Sequence, residues 1–317
     1  MRTHIILMKY KAKSFILLLN YNKEKLFMLL HLLLNTLIVG AGYGLMAMAF
    51  RLMYSVSPFF NMTLGAVAAL GAYASYGLIS LCGLPMWAGV IGAILICALF
   101  SYFLEAGIYT PMRNHGASSM VLMVASLGVY TIFESVILLV FGPQYQNLGS
   151  IQSAITVHLG FAGIPLVQAL TIAAYFICFA FLNYLLHHTF IGLKIRAVND
   201  SSTLSDIIGM KNNQIILLVS VLTGIVLGVD GVLIGYDTGM VPTMGFNLLF
   251  KGMIGAIIGG LANLRGAFFG ALFLALAENI GVLIFASEWR DLIAFVIFIT
   301  FLSLRPQGIF QKKGNLQ

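Results

Sequence analysis

Charge is what this sequence has least of. Asp, Glu, Lys and Arg together make up 9% of its 317 residues, against about a quarter in a soluble domain. With 60% hydrophobic residues, that shortage excludes a soluble enzyme, a nucleic-acid binder and a disordered tail. The three cysteines, Cys82, Cys97 and Cys178, lie in apolar runs without metal-ligand spacing, so they read as small buried hydrophobes. No G-x-x-x-x-G-K-[ST] phosphate loop occurs, so the chain lacks the usual ATP cradle. No H-E-x-x-H occurs either, and His187 and His188 mark a membrane edge rather than a metal site. No Ser or Cys stands beside a base within one motif, which leaves a membrane hydrolase little support and points away from an enzyme.

What is present is long apolar runs. They cover about 26–50, 59–82, 85–109, 118–141, 161–187, 214–236, 248–262, 266–286 and 290–304. Most reach the roughly 20 residues that cross a bilayer core as a helix; the seventh is short. Runs of that length disfavour a transmembrane β-barrel, whose strands alternate polar and apolar over about 10 residues. The expected fold is all-α: a polytopic helical bundle of about 8–10 spans. The expected organisation is a basic extension over 1–25, a transmembrane domain over 26–305 and a cytoplasmic tail over 306–317.

Loop charge orients the spans. The loop 188–213 carries Lys194, Arg196 and Lys211, the loop 110–117 carries Arg113, and the tail carries Arg305, Lys312 and Lys313. These belong in the cytoplasm. The loops 142–160 and 237–247 hold no Lys or Arg and belong outside. The same parity puts the N-terminus outside, against the charge of Arg2, Lys9, Lys11, Lys13, Lys23 and Lys25. A start at Met28 removes all six, so a misassigned start is the expectation.

Many of the 33 glycines fall four apart, as in Gly40/Gly44, Gly224/Gly228, Gly231/Gly235, Gly255/Gly259 and Gly266/Gly270. Small residues one turn apart let helices in lipid approach closely. Two regions look alike. Pro58-Phe-Phe-Asn61 precedes the small-residue helix from Thr63, and Pro242-Thr-Met-Gly-Phe-Asn247 precedes a second one around Gly252–Gly259. They run in opposite directions by parity, as interrupted helices of an inverted repeat do, and such breaks lie near a substrate path. The alternative is coincidence of Gly/Ala-rich composition.

Glu105, Glu134, Asp230 and Glu278 sit inside apolar runs. Each costs roughly 2.5–3.5 kcal/mol at a helix centre, so each is expected to face protein or water. Glu105 is expected to pair with Arg113 or a helix end. Glu134, Asp230 and Glu278 are candidates for a translocation path, or carboxyls that lock helices together. Asn35, Tyr43, Asn61, Thr63 and Asn247 add uncharged polar groups near the breaks, able to replace the hydration shell of a zwitterion or simply to bond helix to helix. In the loop 192–211, Asp200 to Thr203 read as a helix start, Leu204, Ile207 and Ile208 as its apolar face, and Gly209 as its end.

Read together, Gly192, Arg196, Ala197, Asp200 and Gly209 in this loop resemble the G-x-x-x-R-A motif, the acidic residue and the later Ala-x-x-x-Gly stretch of the branched-chain amino acid ABC importer permeases, a family that includes urea and short-amide permeases. Asn61, Tyr109-Thr-Pro111-Met-Arg113, Ser126-Leu-Gly128, Lys251 with Gly259-Gly260, Gly266-Ala267 with Gly270, Ala277-Glu278 and Arg305-Pro-Gln-Gly308 follow in family order. The resemblance covers about residues 28–312. There are departures: Asn61-Met-Thr-Leu-Gly65-Ala66 stands where the family has Asn-Phe-Ala-His-Gly-Glu, Arg265 replaces a Pro, and Asp230 replaces an apolar residue.

The resemblance implies an inner-membrane permease subunit importing branched-chain amino acids or a related small polar solute. It implies a second permease subunit, identical or not, and an external solute-binding protein. It also implies ATPase subunits that bind the ATP and receive a coupling loop containing Gly192, Arg196, Ala197, Asp200, Asp206 and Gly209. No cofactor or metal is expected in this chain, and no nucleic acid. The alternative is a proton- or ion-coupled secondary transporter that uses Glu134, Asp230 or Glu278.

Overall fold

A computed structural model describes residues 2–147, 156–158, 163–261, 263–305 and 308–309. The expected tail, 306–317, lies outside the described residues except for 308–309. Helix α1 runs from Arg2 to Val56, and its stretch Leu29–Val56 is long and apolar enough to span a membrane. From Ala41 to Met53 nearly every apolar side chain of α1 is buried. A helix apolar on all sides needs neighbours on all sides, and α1 is accordingly the central element.

The second span is α2 (Thr63–Tyr76), which continues through a π-helical turn to Leu81. Pro85 breaks the chain, and α3 (Met86–Leu104) passes through a π-helical turn, Glu105–Tyr109, into α4 (Thr110–Asn114) to complete the third. Helix α5 (Ser119–Phe141) is the fourth. It buries Leu122, Ser126, Tyr130 and Ile137 on one narrow stripe and exposes most of its remaining surface, so it stands at the rim. Strands β1 (Thr156–His158) and β2 (Gly163–Pro165) form a small antiparallel hairpin in the connection to α6 (Leu166–His188). Then come α7 (Phe190–Asp200), α8 (Ser202–Ile207), α9 (Asn212–Asp237), α10 (Met244–Gly259), α11 (Leu264–Ile284) and α12 (Arg290–Leu304).

Seven helical stretches are long and apolar enough to span. Helices α10, at 16 residues, and α12, at 15, are shorter. All nine apolar runs of the sequence therefore become helices, with boundary shifts. The first extends to Val56 rather than 50, the second starts at Thr63 rather than 59, and the seventh starts at Met244 rather than 248. Pro58 and Pro242 push the residue before each out of helical backbone, so α1 ends ahead of Pro58, and α2 and α10 begin beyond the two prolines.

The loops group as their charges require. Asn213 Nδ2 donates to Asn114 Oδ1 at 3.0 Å, so the basic loops around 110–117 and 188–213 share one end of the bundle. At the other end Gln146 and Met240 form an antiparallel β-bridge, joining the two loops free of Lys and Arg. The first end is cytoplasmic by the positive-inside rule. Ile309 N–H bonds Ile258 carbonyl at 2.9 Å, which holds the start of the tail at that same end.

Small residues set the helix spacing. At Gly231 of α9 a side chain would overlap the carbonyl of Ala68 on α2, and at Gly259 of α10 one would overlap Gly266 of α11. The paired glycines thus serve close packing. Of the cysteines, Cys97 is buried, Cys178 is half-buried and Cys82 is exposed. Cys82 departs from the expectation because the π-helical turn after α2 ends one residue before it, and it lies in the turn between spans.

Candidate functional site

Two connections fold back into the bundle from opposite ends. Residues 57–62 leave the cytoplasmic end of α1, and residues 238–243 leave the outer end of α9. Met62 N–H donates to Ser126 Oγ at 3.0 Å, two turns into α5, which is about 10 Å from its start. Phe246 meets the ring of Tyr130, one turn further along, in a tilted contact with centroids 6.0 Å apart. Helices α2 and α10 therefore both begin in the bundle interior, at adjacent levels. There Gly65 and Gly245 pack backbone against backbone.

The start of α2 is held by side chains. Asn61 Oδ1 accepts from Thr63 N–H at 3.0 Å and also from the Thr63 hydroxyl. Tyr109, buried on the third span, donates to Thr63 Oγ1 at 3.1 Å. These bonds satisfy polar groups where a helix begins away from water. Asn61 and Thr63 thus form a capping unit with Tyr109. Asn247 differs: it lies inside α10 and is exposed to a cavity.

That cavity, of about 350 Å³, opens between α1, α6, α9, α10 and the start of α12. Its walls include Ile38, Val39, Tyr43, Ile234, Leu248 and Asn247, with Asp237, Lys251 and Arg290 as charged groups. Beside it stands a polar network. Tyr43 donates to Glu278 Oε2 at 3.0 Å and accepts from Lys251 Nζ at 3.1 Å. Lys251 lies 3.6 Å from Glu278 and 2.9 Å from Asp291, and Arg290 lies 3.9 Å from Glu278. Asn35 donates to Asn279 Oδ1 at 3.2 Å, and Asn279 donates to Thr36 at 3.1 Å. Glu278 is fully buried, and its two cationic neighbours supply the charge that a carboxylate there requires.

Of the eight path candidates, the structure brings Asn35, Tyr43 and Glu278 into this network and Asn247 to the adjoining cavity. Asn61 and Thr63 belong to the capping unit instead. Glu134 is half-buried one turn beyond Tyr130 and joins neither group. Asp230 is fully buried on α9, and neither carboxyl oxygen has a hydrogen bond among the described residues. Arg290, Asp237, Asn279 and Thr36 escaped the sequence reading, and Lys251 figured there only as part of a motif. The missed signal was a cation inside an apolar run: Lys251 has the same transfer penalty as the carboxylates.

At the cytoplasmic end Glu105 is fully buried and accepts from Arg113 at 2.6 Å and from Thr110 at 3.0 Å, the pairing the sequence suggests. A cavity of about 920 Å³ lies there, lined by Tyr54, Pro58, Phe59, Arg113, Val198, Asn199, Asp200, Asp206 and Ile257, among others. It thus touches both the 57–62 connection and the 188–213 loop. That loop contains two helices where the sequence suggested one. Thr189 caps α7 by accepting from Gly192 N–H at 3.1 Å, and Gly192 is tight against the Leu185 and Leu186 carbonyls. Ile195 and Val198 pack α7 under the bundle. Ser201 caps α8 by accepting from Leu204 N–H at 3.2 Å, and Gly209 ends it with φ +85°. Leu204, Ile207 and Ile208 are exposed by 60%, 75% and 74%, so the apolar face of α8 points away from its own bundle.

The family model described as a branched-chain amino acid transport system permease component matches residues 32–302. The chain belongs to this family. It is a family of transport permease components and not of enzymes, and its member here is a multi-pass protein of the inner membrane. The chain is 26% identical to the high-affinity branched-chain amino acid transport system permease protein LivH of Salmonella typhimurium, over 90% of this chain and 96% of that protein. It is 26% identical to the BraD permease of the corresponding system of Pseudomonas aeruginosa, over 87% and 94%. Among solved structures it resembles PsaBC from Streptococcus pneumoniae in complex with Fab, with a TM-score of 0.52 and 16% identity, over 87% of this chain and 93% of that one. That likeness concerns the fold. Among the described residues, no group of three or more His, Cys, Asp or Glu side chains is placed to hold a metal ion.

Proposed function

We propose that this permease is one half of the membrane pathway of an ABC importer for branched-chain amino acids or a related small polar solute. A second permease subunit completes the pathway, ATPase subunits bind ATP on the cytoplasmic side, and an extracytoplasmic binding protein delivers the solute. The chain itself performs no chemistry and holds no cofactor. The observation that carries the reading is α8: a capped helix on the cytoplasmic face, with Leu204, Ile207 and Ile208 exposed. An apolar helical knob of that kind suits a groove on a partner, and family membership supplies the partner's class, an ATPase.

In this reading α7 and α8, with Gly192, Arg196, Ala197, Asp200, Asp206 and Gly209, form the coupling element. Asp200 and Asp206 line the same cytoplasmic cavity as Pro58 and Phe59, which places the coupling element beside the connection that leads into α2. ATP binding must favour one packing of the bundle over another by several kcal/mol to invert their populations. The proton-coupled alternative gains no support from the family match or from the curated relatives.

The test is co-purification of the tagged protein in mild detergent from its host, with partners identified by mass. A P-loop ATPase is expected with the wild type and is expected to be lost when Arg196 and Asp200 are both changed to Ala. A monodisperse permease without any ATPase would overturn the proposal.

A further inference from the structure

The outer cavity carries two charged poles that do not neutralise each other. One pole is Lys251 and Arg290. The other is Asp237, whose carboxylate accepts from Gln168 Nε2 at 3.0 Å. No ion pair among the described residues joins Asp237 to either cation. Asp237 also ends α9, where unpaired carbonyls add negative potential. The cavity lining also includes the apolar side chains of Ile38, Val39, Ile234 and Leu248, beside the polar Thr171 and Asn247.

The cationic pole has donors to spare. Lys251 is engaged by Tyr43, Glu278 and Asp291, whereas Arg290 Nε faces Glu278 Oε2 only at 3.9 Å, beyond hydrogen-bond distance. Its Nη2 reaches Asn279 Oδ1 at 3.5 Å, and its buried Nε has no hydrogen bond. A guanidinium fork matches a carboxylate with two parallel bonds. A cavity of about 350 Å³ is at the small end for a ligand site. Asp237 disfavours a phosphate or another simple anion, and the two cations disfavour a metal ion. A neutral amide uses neither pole.

We infer that this cavity is a binding site for a free α-amino acid zwitterion. The ligand carboxylate meets Arg290, with Lys251 behind it; the ammonium meets Asp237 and the end of α9; the aliphatic side chain lies on Ile38, Val39, Ile234 and Leu248. The inference rests on the importer reading above and names the group on this chain that recognises the solute.

Gly42 offers a gauge of ligand size. It lines the cavity, and a methyl placed there lies 3.6 Å from Ile234 Cδ1, an ordinary contact. Gly42→Ala therefore shrinks the space without forcing the helices apart.

The experiment is ATP-driven uptake into proteoliposomes that hold the complete transporter recovered by co-purification, with radiolabelled leucine, valine and 3-methylbutylamine as probes. The wild type is expected to take up leucine but not the amine, which lacks the carboxylate. Arg290→Gln and Asp237→Asn are each expected to lower leucine uptake by about tenfold or more, with Arg290→Lys intermediate. Gly42→Ala is expected to shift the valine-to-leucine ratio toward valine by about tenfold, the scale of one methylene in a tight pocket. Yield and retained ATPase subunits check assembly. If Arg290→Gln does not assemble, Asp237→Asn and Gly42→Ala decide. A wild type that transports leucine, with variants at wild-type rates and an unchanged ratio, overturns the site but leaves the importer. A wild-type complex that hydrolyses ATP but moves no amino acid overturns the amino-acid reading and the site with it.

Discussion

Gly65 and Gly245 lie backbone to backbone in the bundle interior, each so close to the other's carbonyl that a Cβ on either would overlap it. They belong to the first turns of α2 and α10, the helices that begin inside the bundle. The contact is how two chain segments entering from opposite faces meet at adjacent levels.

A side chain at this junction forces the helices apart. Gly65→Val or Gly245→Val is expected to destabilise the protein by about 1–3 kcal/mol, the usual cost of overpacking. Fluorescence-detected size-exclusion after heating in detergent reads it as a lowered midpoint. Gly128→Ala, whose added methyl meets nothing within 4 Å, is the control and is expected to leave the midpoint in place.

The Glu278–Lys251 pair is a test of mutual dependence. Glu278→Leu leaves Lys251 and Arg290 with one fewer anion and is expected to destabilise by about 3 kcal/mol, whereas Glu278→Leu with Lys251→Met is expected to cost less than the sum of the single changes. The same thermal assay on four proteins closes the cycle. Additive losses would mean that the 3.6 Å approach has no energetic weight.

Glu105 gives a sharper case at the cytoplasmic end. Arg113→Ala strands a fully buried carboxylate with Thr110 as its remaining hydrogen-bond donor among the described residues, and a loss of about 3 kcal/mol is expected. Glu105→Gln with Arg113→Gln is expected to be milder. Expression level and thermal midpoint would report both.

For α8, Ile207→Glu is expected to abolish recovery of the ATPase subunit while leaving the permease monodisperse and its midpoint unchanged, because Ile207 is 75% exposed. Ile195→Glu on α7 is expected to lower the midpoint itself, because Ile195 is buried under the bundle. A pull-down beside a melting curve separates the two outcomes.

Much of this protein is legible in its sequence. The apolar runs gave the helices, because crossing a bilayer demands a length and hydropathy that each segment carries locally. The loop charges gave the orientation, and the Asn213–Asn114 and Gln146–Met240 contacts show those loops gathered at two ends. The stretch Asp200 to Thr203 marked the start of α8, where Ser201 is the cap, and Gly209 marked its end. Helix α7 was overlooked because its Lys194 and Arg196 interrupt the apolar pattern that flags a helix in a membrane protein.

Tertiary structure alone decided which polar residues meet. Glu278, Asp230 and Glu134 are equivalent by sequence: single carboxylates in apolar runs. Only the crossing of α1, α10, α11 and α12 gives Glu278 its partners Tyr43, Lys251 and Arg290, while Asp230 receives none among the described residues and Glu134 stays at the rim. Hydropathy and loop charge sum along the chain and can be read from it. A hydrogen bond depends on a few ångströms and on the angle at which distant helices cross, and here small residues such as Gly231, Gly255 and Gly259 set that approach.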